Sequence, residues 1–145
     1  MATRSARTAW NGTLADGGGQ VELSSSRLGT FDVSWPKRVS ADADASTSPE
    51  ELIAAAHSSC FAMQLSGLIG EAGGTPHSLE ITADVSFGPD PAGGFHLSGI
   101  LLTVRGEVEG LDAAGFAAAA QAAKETCPVS KALTGVAVTL DAALV

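Results

Sequence analysis

Two cysteines in 145 residues are the side chains best suited to chemistry here, and their surroundings differ. Cys60 lies inside a run, Leu52 to Ile69, that holds no charged residue. Cys127 precedes Pro128, where it can cap a short helix. Backbone amides at a helix start favour a thiolate, so Cys127 gains acidity from its position. Cys60, about three turns into its own helix, gets no such help, and burial raises its pKa. As a nucleophile Cys60 therefore needs a cation nearby; otherwise it is a small buried hydrophobe. Five arginines (4, 7, 27, 38, 105) and three lysines (37, 124, 131) are the available donors. Arg38 opens the loop that leads to the Cys60 helix, and a guanidinium there can form a bidentate pair with a carboxylate. It can equally be a solvated surface charge.

Glu50 is a candidate for that carboxylate. Ser48, Pro49 and Glu51 read as N-cap, N1 and N3 of a capping box, which leaves Glu50 with no duty beyond complementing the helix dipole. Ten residues separate it from Cys60, about 15 Å of helical rise and roughly 80° of rotation. The two cannot touch within one straight helix, so a joint role requires an intermediary. His57 and Gln64, at i−3 and i+4, share a stripe with Cys60. A Cys60–His57 dyad for acyl transfer would need a third group to orient the imidazole, and none is evident. The bland reading of His57 is a satisfied core histidine. The five histidine and cysteine positions (57, 77, 96, 60, 127) lack the short spacings of a zinc site. No dinucleotide fingerprint or P-loop is present, so no cofactor or metal is expected.

The elements that must carry these residues follow from patterning. Short strands are expected within Thr3–Trp10, Val21–Ser25 and Leu28–Val33, with Asn11-Gly12 and Gly17-Gly18-Gly19 as turns. Residues 36–48 read as an exposed loop. A helix starts at Pro49 and stops at Gly73-Gly74. Its length raises the possibility of a membrane span, but His57, Gln64, three serines and an alanine-dominated composition favour a buried central helix. Leu79–Phe87 and Phe95–Val108 form a hairpin, and Asp112 caps a helix over residues 113–126. A short helix begins at Pro128, and a strand over residues 136–144 closes the chain. This order is α+β in one domain over residues 1–145. A second subunit is expected to help bury the long apolar helix.

Eight basic against sixteen acidic side chains give a net charge of −8. That balance argues against a non-specific grip on nucleic acid or on an anionic membrane. Hydrophobic residues make up 45% and charged residues 17%, which disfavours disorder. Two cysteines are too few for a stapled secreted scaffold, and no signal peptide is evident, so a cytoplasmic protein with reduced thiols is expected.

The stretch Ser48-Pro49-Glu50-Glu51-Leu52-Ile53-Ala54-Ala55-Ala56-His57-Ser58-Ser59-Cys60-Phe61, with Cys127-Pro128-Val129-Ser130 downstream, resembles the OsmC/Ohr family of thiol peroxidases. Trp10-Asn11-Gly12 and Glu71-Ala72-Gly73 extend the likeness over nearly the whole chain. Ala-Ala-His before Ser-Ser-Cys is similar to the OsmC branch. The resemblance implies antiparallel sheets wrapped around the central helix and an intertwined homodimer with active sites at the interface. It implies reduction of hydroperoxides, organic ones preferred and hydrogen peroxide included. Cys60 then resembles the peroxidatic cysteine and Cys127 the resolving one, joined as a disulfide after a Cys60 sulfenic acid. Arg38 and Glu50 resemble the assisting pair, and a lipoylated protein or another dithiol is the implied reductant. Leu52, Ile53, Phe61, Met63 and Leu65 are then candidates to wall a pocket for an organic tail.

Overall fold

The computed structural model describes residues 1–145, in two compact units, Met1–Pro49 and Glu50–Val145. The first unit is an antiparallel sheet of β1 (Arg7–Asn11), β2 (Gly18–Glu22) and β3 (Thr30–Val33), in the order β1-β2-β3. Asn11 pairs with Gly18 across the first turn, where Gly12 adopts a φ of 91° that favours glycine. The strand expected from Val21 starts earlier, at Gly18, because Gly19 and Gln20 pair with β1. The strand expected from Leu28 starts later, because Arg27 turns the chain with a φ of 59°. Residues 36–48 are not wholly a loop. Ser34 caps a four-residue helix, α1 (Trp35–Arg38), by accepting from the Lys37 amide, and Pro36 fits its first turn. Lys37 Nζ then contacts Asp44 Oδ2 at 3.1 Å within the remaining loop.

The second unit carries the main core. Helix α2 (Pro49–Glu71) is followed by the hairpin β4 (Thr75–Pro89) and β5 (Phe95–Glu109). Next come α3 (Ala113–Thr126), α4 (Pro128–Ala132) and β6 (Val138–Leu144). Asp112 caps α3 as expected, accepting from the Gly115 amide at 2.8 Å. The sheet order is β4-β5-β6, with β4 antiparallel and β6 parallel to β5. The expectation of antiparallel sheets is therefore corrected for this sheet, which is mixed. The reason is connectivity: β6 is reached through two helices rather than a tight turn, and such a crossover delivers a strand in the parallel sense.

Ile100, Leu102 and Val104 alternate along β5 and point into one cluster with Phe61, Leu65 and Ile69 of α2 and Phe116, Ala119, Ala120 and Ala123 of α3. The alanines let α3 lie close to the sheet. Gly106 continues the same face of β5. A methyl group there would sit 2.8 Å from the Phe116 ring, so any larger residue would have to displace that ring. The long helix differs from the all-round burial expected. Its buried residues are Glu50, His57, Phe61, Leu65 and Ile69, a stripe at helical spacing. Met63, on another face, is 74% exposed. By length and hydropathy alone this helix could cross a bilayer. Phe61, Leu65 and Ile69 of its buried stripe instead join the core cluster.

Candidate functional site

The break between α3 and α4 lies beside the middle of α2, and three pairs of side chains join them. Gln64 Nε2 donates to Thr126 Oγ1 at 3.0 Å. Cys60 and Cys127 meet through their sulfurs at 2.9 Å. His57 Nε2 lies 2.6 Å from Ser130 Oγ. The stripe of His57, Cys60 and Gln64 is thus matched, in reverse order, by Ser130, Cys127 and Thr126. Helical geometry explains the match: residues at i−3 and i+4 face the same way, so one neighbouring segment can meet all three.

Pro128 creates the break that presents Cys127. A proline has no N–H to continue α3 and fits the first turn of α4, so Cys127 becomes both the C-cap of α3 and the N-cap of α4. Its backbone N–H still donates to Ala123 O at 2.8 Å. Its side chain is fully buried, whereas Cys60 keeps some exposure. Both are free thiols. A disulfide would need the sulfurs at about 2.0 Å, so a small approach separates this reduced pair from an oxidised one.

The ionisations of the two thiols are linked through their contact. Burial, foremost, and the hydrogen bond with Cys127 push the Cys60 thiol up. Burial also acts to raise Cys127, but the hydrogen bond with Cys60, the amides of Ser130 and Val129 and the Ser130 side chain outweigh it. Cys127 therefore ends below its ordinary value, as its place at a helix start predicts. The sequence reading that Cys60 gains nothing from helix amides needs correction. The Val129 amide in the first turn of α4 also bonds Cys60 and lowers its pKa, so the help comes from the neighbouring helix rather than its own.

His57 is fully buried, and burial lowers its pKa, so the ring is neutral near pH 7. Its Nε2 engages Ser130 and its Nδ1 is buried without a partner. Neither ring nitrogen bonds the Cys60 sulfur, so the hydrolytic Cys60–His57 dyad does not form. Gln64, expected only to share the stripe, ties α2 to the end of α3. Sequence reasoning missed Ser130 and Thr126 as members of the site. The signal for Ser130 was present in Cys-Pro-Val-Ser, three residues after the cysteine.

The other residues singled out are distributed as follows. Arg38 ends α1 in the first unit, and Glu50 sits buried in the first turn of α2. Phe61 and Leu65 belong to the core cluster, Leu52 and Ile53 are half-buried, and Met63 is exposed.

A family model described as OsmC-like protein matches residues 41–141. The chain is a member of the OsmC-like family. It is 42% identical over 132 residues to a protein named Peroxiredoxin OsmC from Escherichia coli, covering 91% of this chain and 90% of the relative. It is 35% identical over 123 residues to the organic hydroperoxide resistance protein OhrA of Bacillus subtilis, covering 83% and 85% of the two chains. Among solved structures, an organic hydroperoxide resistance protein from Elizabethkingia anophelis superposes with a TM-score of 0.80 at 27% identity, covering 100% of this chain and 98% of that one. OhrB of Bacillus subtilis follows the same fold with a TM-score of 0.73 at 30% identity, covering 97% and 98%. The OsmC-like membership supports the α+β fold and gives the thiol pair a peroxidase context.

Proposed function

We propose that this OsmC-like chain is a cysteine-based hydroperoxide reductase, acting on organic hydroperoxides and on hydrogen peroxide. The observation that carries the reading is the pair of free thiols with sulfurs 2.9 Å apart, one partly exposed and one buried at a helix start. The curated relatives, named for peroxiredoxin activity and organic hydroperoxide resistance, support the substrate class.

The chemistry runs in three balanced steps. The Cys60 thiolate attacks the terminal oxygen of ROOH; an S–O bond forms, the O–O bond breaks, and the departing alkoxide takes up the proton lost to solvent when the thiol pair ionised and leaves as an alcohol, giving a Cys60 sulfenic acid. The Cys127 thiolate then attacks that sulfur. The S–S bond forms, and hydroxide leaves to become water with the proton Cys127 had released. A dithiol, lipoylated protein or small molecule, reduces the disulfide by exchange and is itself oxidised to a disulfide. Arg38 is assigned to favour the Cys60 thiolate and polarise the peroxide, with Glu50 orienting the guanidinium. Leu52, Ile53 and Met63, backed by Phe61, are assigned to the organic tail of the substrate.

In this reading residues 1–145 act as one functional domain in a cytoplasmic homodimer, with active sites at the interface. The exposed face of α2, including Met63, gives a second copy an apolar surface to cover. The test is turnover of cumene hydroperoxide and hydrogen peroxide with dihydrolipoamide as donor. Wild-type protein should consume peroxide with one intramolecular disulfide per cycle. Full turnover by Cys60→Ser would refute the assignment.

A further inference from the structure

His57 is the one buried titratable side chain in the second unit's core that the three steps above leave unused. It is fully buried, and burial keeps it neutral, so its ring carries one N–H. That hydrogen can sit on either nitrogen. On Nδ1 it would be a buried donor with nothing to accept it, because Nδ1 has no partner. Orphaned buried donors are rarer and costlier than a bare acceptor lone pair. On Nε2 the hydrogen points at Ser130 Oγ, 2.6 Å away. We therefore assign the Nε2–H tautomer, with His57 donating and Ser130 accepting. The Ser130 hydroxyl, its oxygen engaged by His57, is then oriented to donate its own hydrogen. Ser130 stands three residues after Cys127, one turn along α4, and there its side chain acts as a hydrogen-bonding neighbour that lowers the pKa of the Cys127 sulfur.

The result is a directed chain: His57 Nε2–H to Ser130 Oγ, Ser130 Oγ–H to Cys127 Sγ, and Cys127 Sγ against Cys60 Sγ at 2.9 Å. Each donor in such a chain polarises the next, which strengthens the bond that reaches the sulfur. We propose that His57 and Ser130 are positioning residues for the resolving step, fixing the hydroxyl that holds the Cys127 sulfur as the nucleophile toward oxidised Cys60. This rests on the thiol-pair chemistry proposed above. Neither residue touches the peroxide. The relay acts only on the second bond-forming event, in which Cys127 sulfur attacks the sulfenic sulfur and hydroxide leaves.

The size of the effect follows from what the hydroxyl does. A hydrogen bond to a charged group is worth enough to change the thiolate population about ten- to a hundredfold. A less stabilised thiolate is also a stronger nucleophile, with a Brønsted slope of about 0.4–0.5, which returns roughly half of that loss on the logarithmic scale. Disulfide formation should therefore slow by about three- to tenfold on losing the relay.

The experiment separates the two steps in single turnovers. Wild-type, Ser130→Ala, Ser130→Thr, His57→Leu and His57→Gln proteins are mixed with one equivalent of cumene hydroperoxide. Peroxide loss reports the first step. Disappearance of trappable sulfenic acid and loss of the second thiol report the other. Ser130→Ala and His57→Leu should prolong the sulfenic acid about three- to tenfold without slowing peroxide loss. Ser130→Thr keeps the hydroxyl and His57→Gln keeps a donor, so both should run near the wild-type rate. Wild-type resolution in both Ser130→Ala and His57→Leu overturns the proposal. Equal slowing of both steps also overturns it, since that is the signature of a structural role alone. A wild-type protein that forms neither sulfenic acid nor disulfide overturns the thiol-pair chemistry itself, and the relay with it.

Discussion

Acidification should destabilise this protein through His57, in a pH window that one substitution removes. The ring is fully buried, and loss of hydration lowers its pKa below the ordinary histidine value of about 6.5. The unfolded chain takes up the proton near that value, whereas the folded protein resists it until lower pH. Between the two, the unfolded state binds more protons, so stability is full above about pH 6.5 and falls as pH drops below it. A single proton limits the slope to about 1.4 kcal/mol per pH unit, and integration caps the loss between pH 7 and pH 5 at about 2 kcal/mol. For a chain of this size that corresponds to a fall in melting temperature of up to about 4–8 °C. The assay is thermal and urea unfolding of wild-type and His57→Gln proteins, reduced throughout, at half-unit steps from pH 7.5 to 5. Every other titratable group, the thiols included, is present in both proteins and cancels in the difference. The wild-type minus variant stability should be flat above pH 7 and bend downward on acidification. Two curves that stay parallel over the whole range would refute the buried neutral imidazole.

Other substitutions test separate links of the argument. Cys127→Ser should consume about one equivalent of peroxide and stop, with the Cys60 sulfenic acid persisting long enough for a dimedone adduct to appear by mass spectrometry. Arg38→Ala should slow the first step about a hundredfold or more, as expected for removing a charge aimed at the reacting atoms, and stopped-flow peroxide loss measures it. Gly106→Ala should cost about 1–3 kcal/mol by urea unfolding, because its methyl meets the Phe116 ring at 2.8 Å. Phe116→Leu in the same chain should recover part of that cost.

What could be read from the sequence was local. The start of α2 at Pro49, the Asp112 cap and the bounds of α3 all rest on residues within one or two turns of each other. The hairpin likewise announces itself in the Gly- and Pro-rich segment between Pro89 and Phe95. Helix α1 escaped because four residues carry almost no periodic signal, and its marks, Ser34 and Pro36, also suit a loop. The parallel pairing of β6 escaped because register across a sheet depends on partners far away, such as Ile100 with Val138. The site divides in the same way. Two cysteines in an otherwise thiol-free chain were visible from their types alone. Ser130 and Thr126 were not, because their partners lie 73 and 62 residues away and only folding brings them together.

The acidities of the two thiols run opposite to the proposed order of events, and their contact bears on how the pair can still work. Cys127 is the more acidic sulfur, yet it is fully buried, so a peroxide cannot reach it first. Cys60 retains exposure but holds its proton more tightly. Because the sulfurs are 2.9 Å apart, one proton can pass directly between them, and the pair ionises as a unit rather than as two sites. Moving that proton to Cys127 exposes a thiolate on Cys60 when a peroxide and the assigned Arg38 favour charge there. Once Cys60 is oxidised its sulfur is no longer a thiol, and the proton on Cys127 is released against the Val129 and Ser130 amides and the Ser130 hydroxyl. The groups that make Cys127 acidic are then what prepares it to attack. A more acidic Cys127 thus serves the second step, where it gives up its proton readily; in the first it is the weaker base of the pair, so in the proposed mechanism the charge is drawn onto Cys60 by Arg38 and the peroxide rather than by the acidity of Cys127.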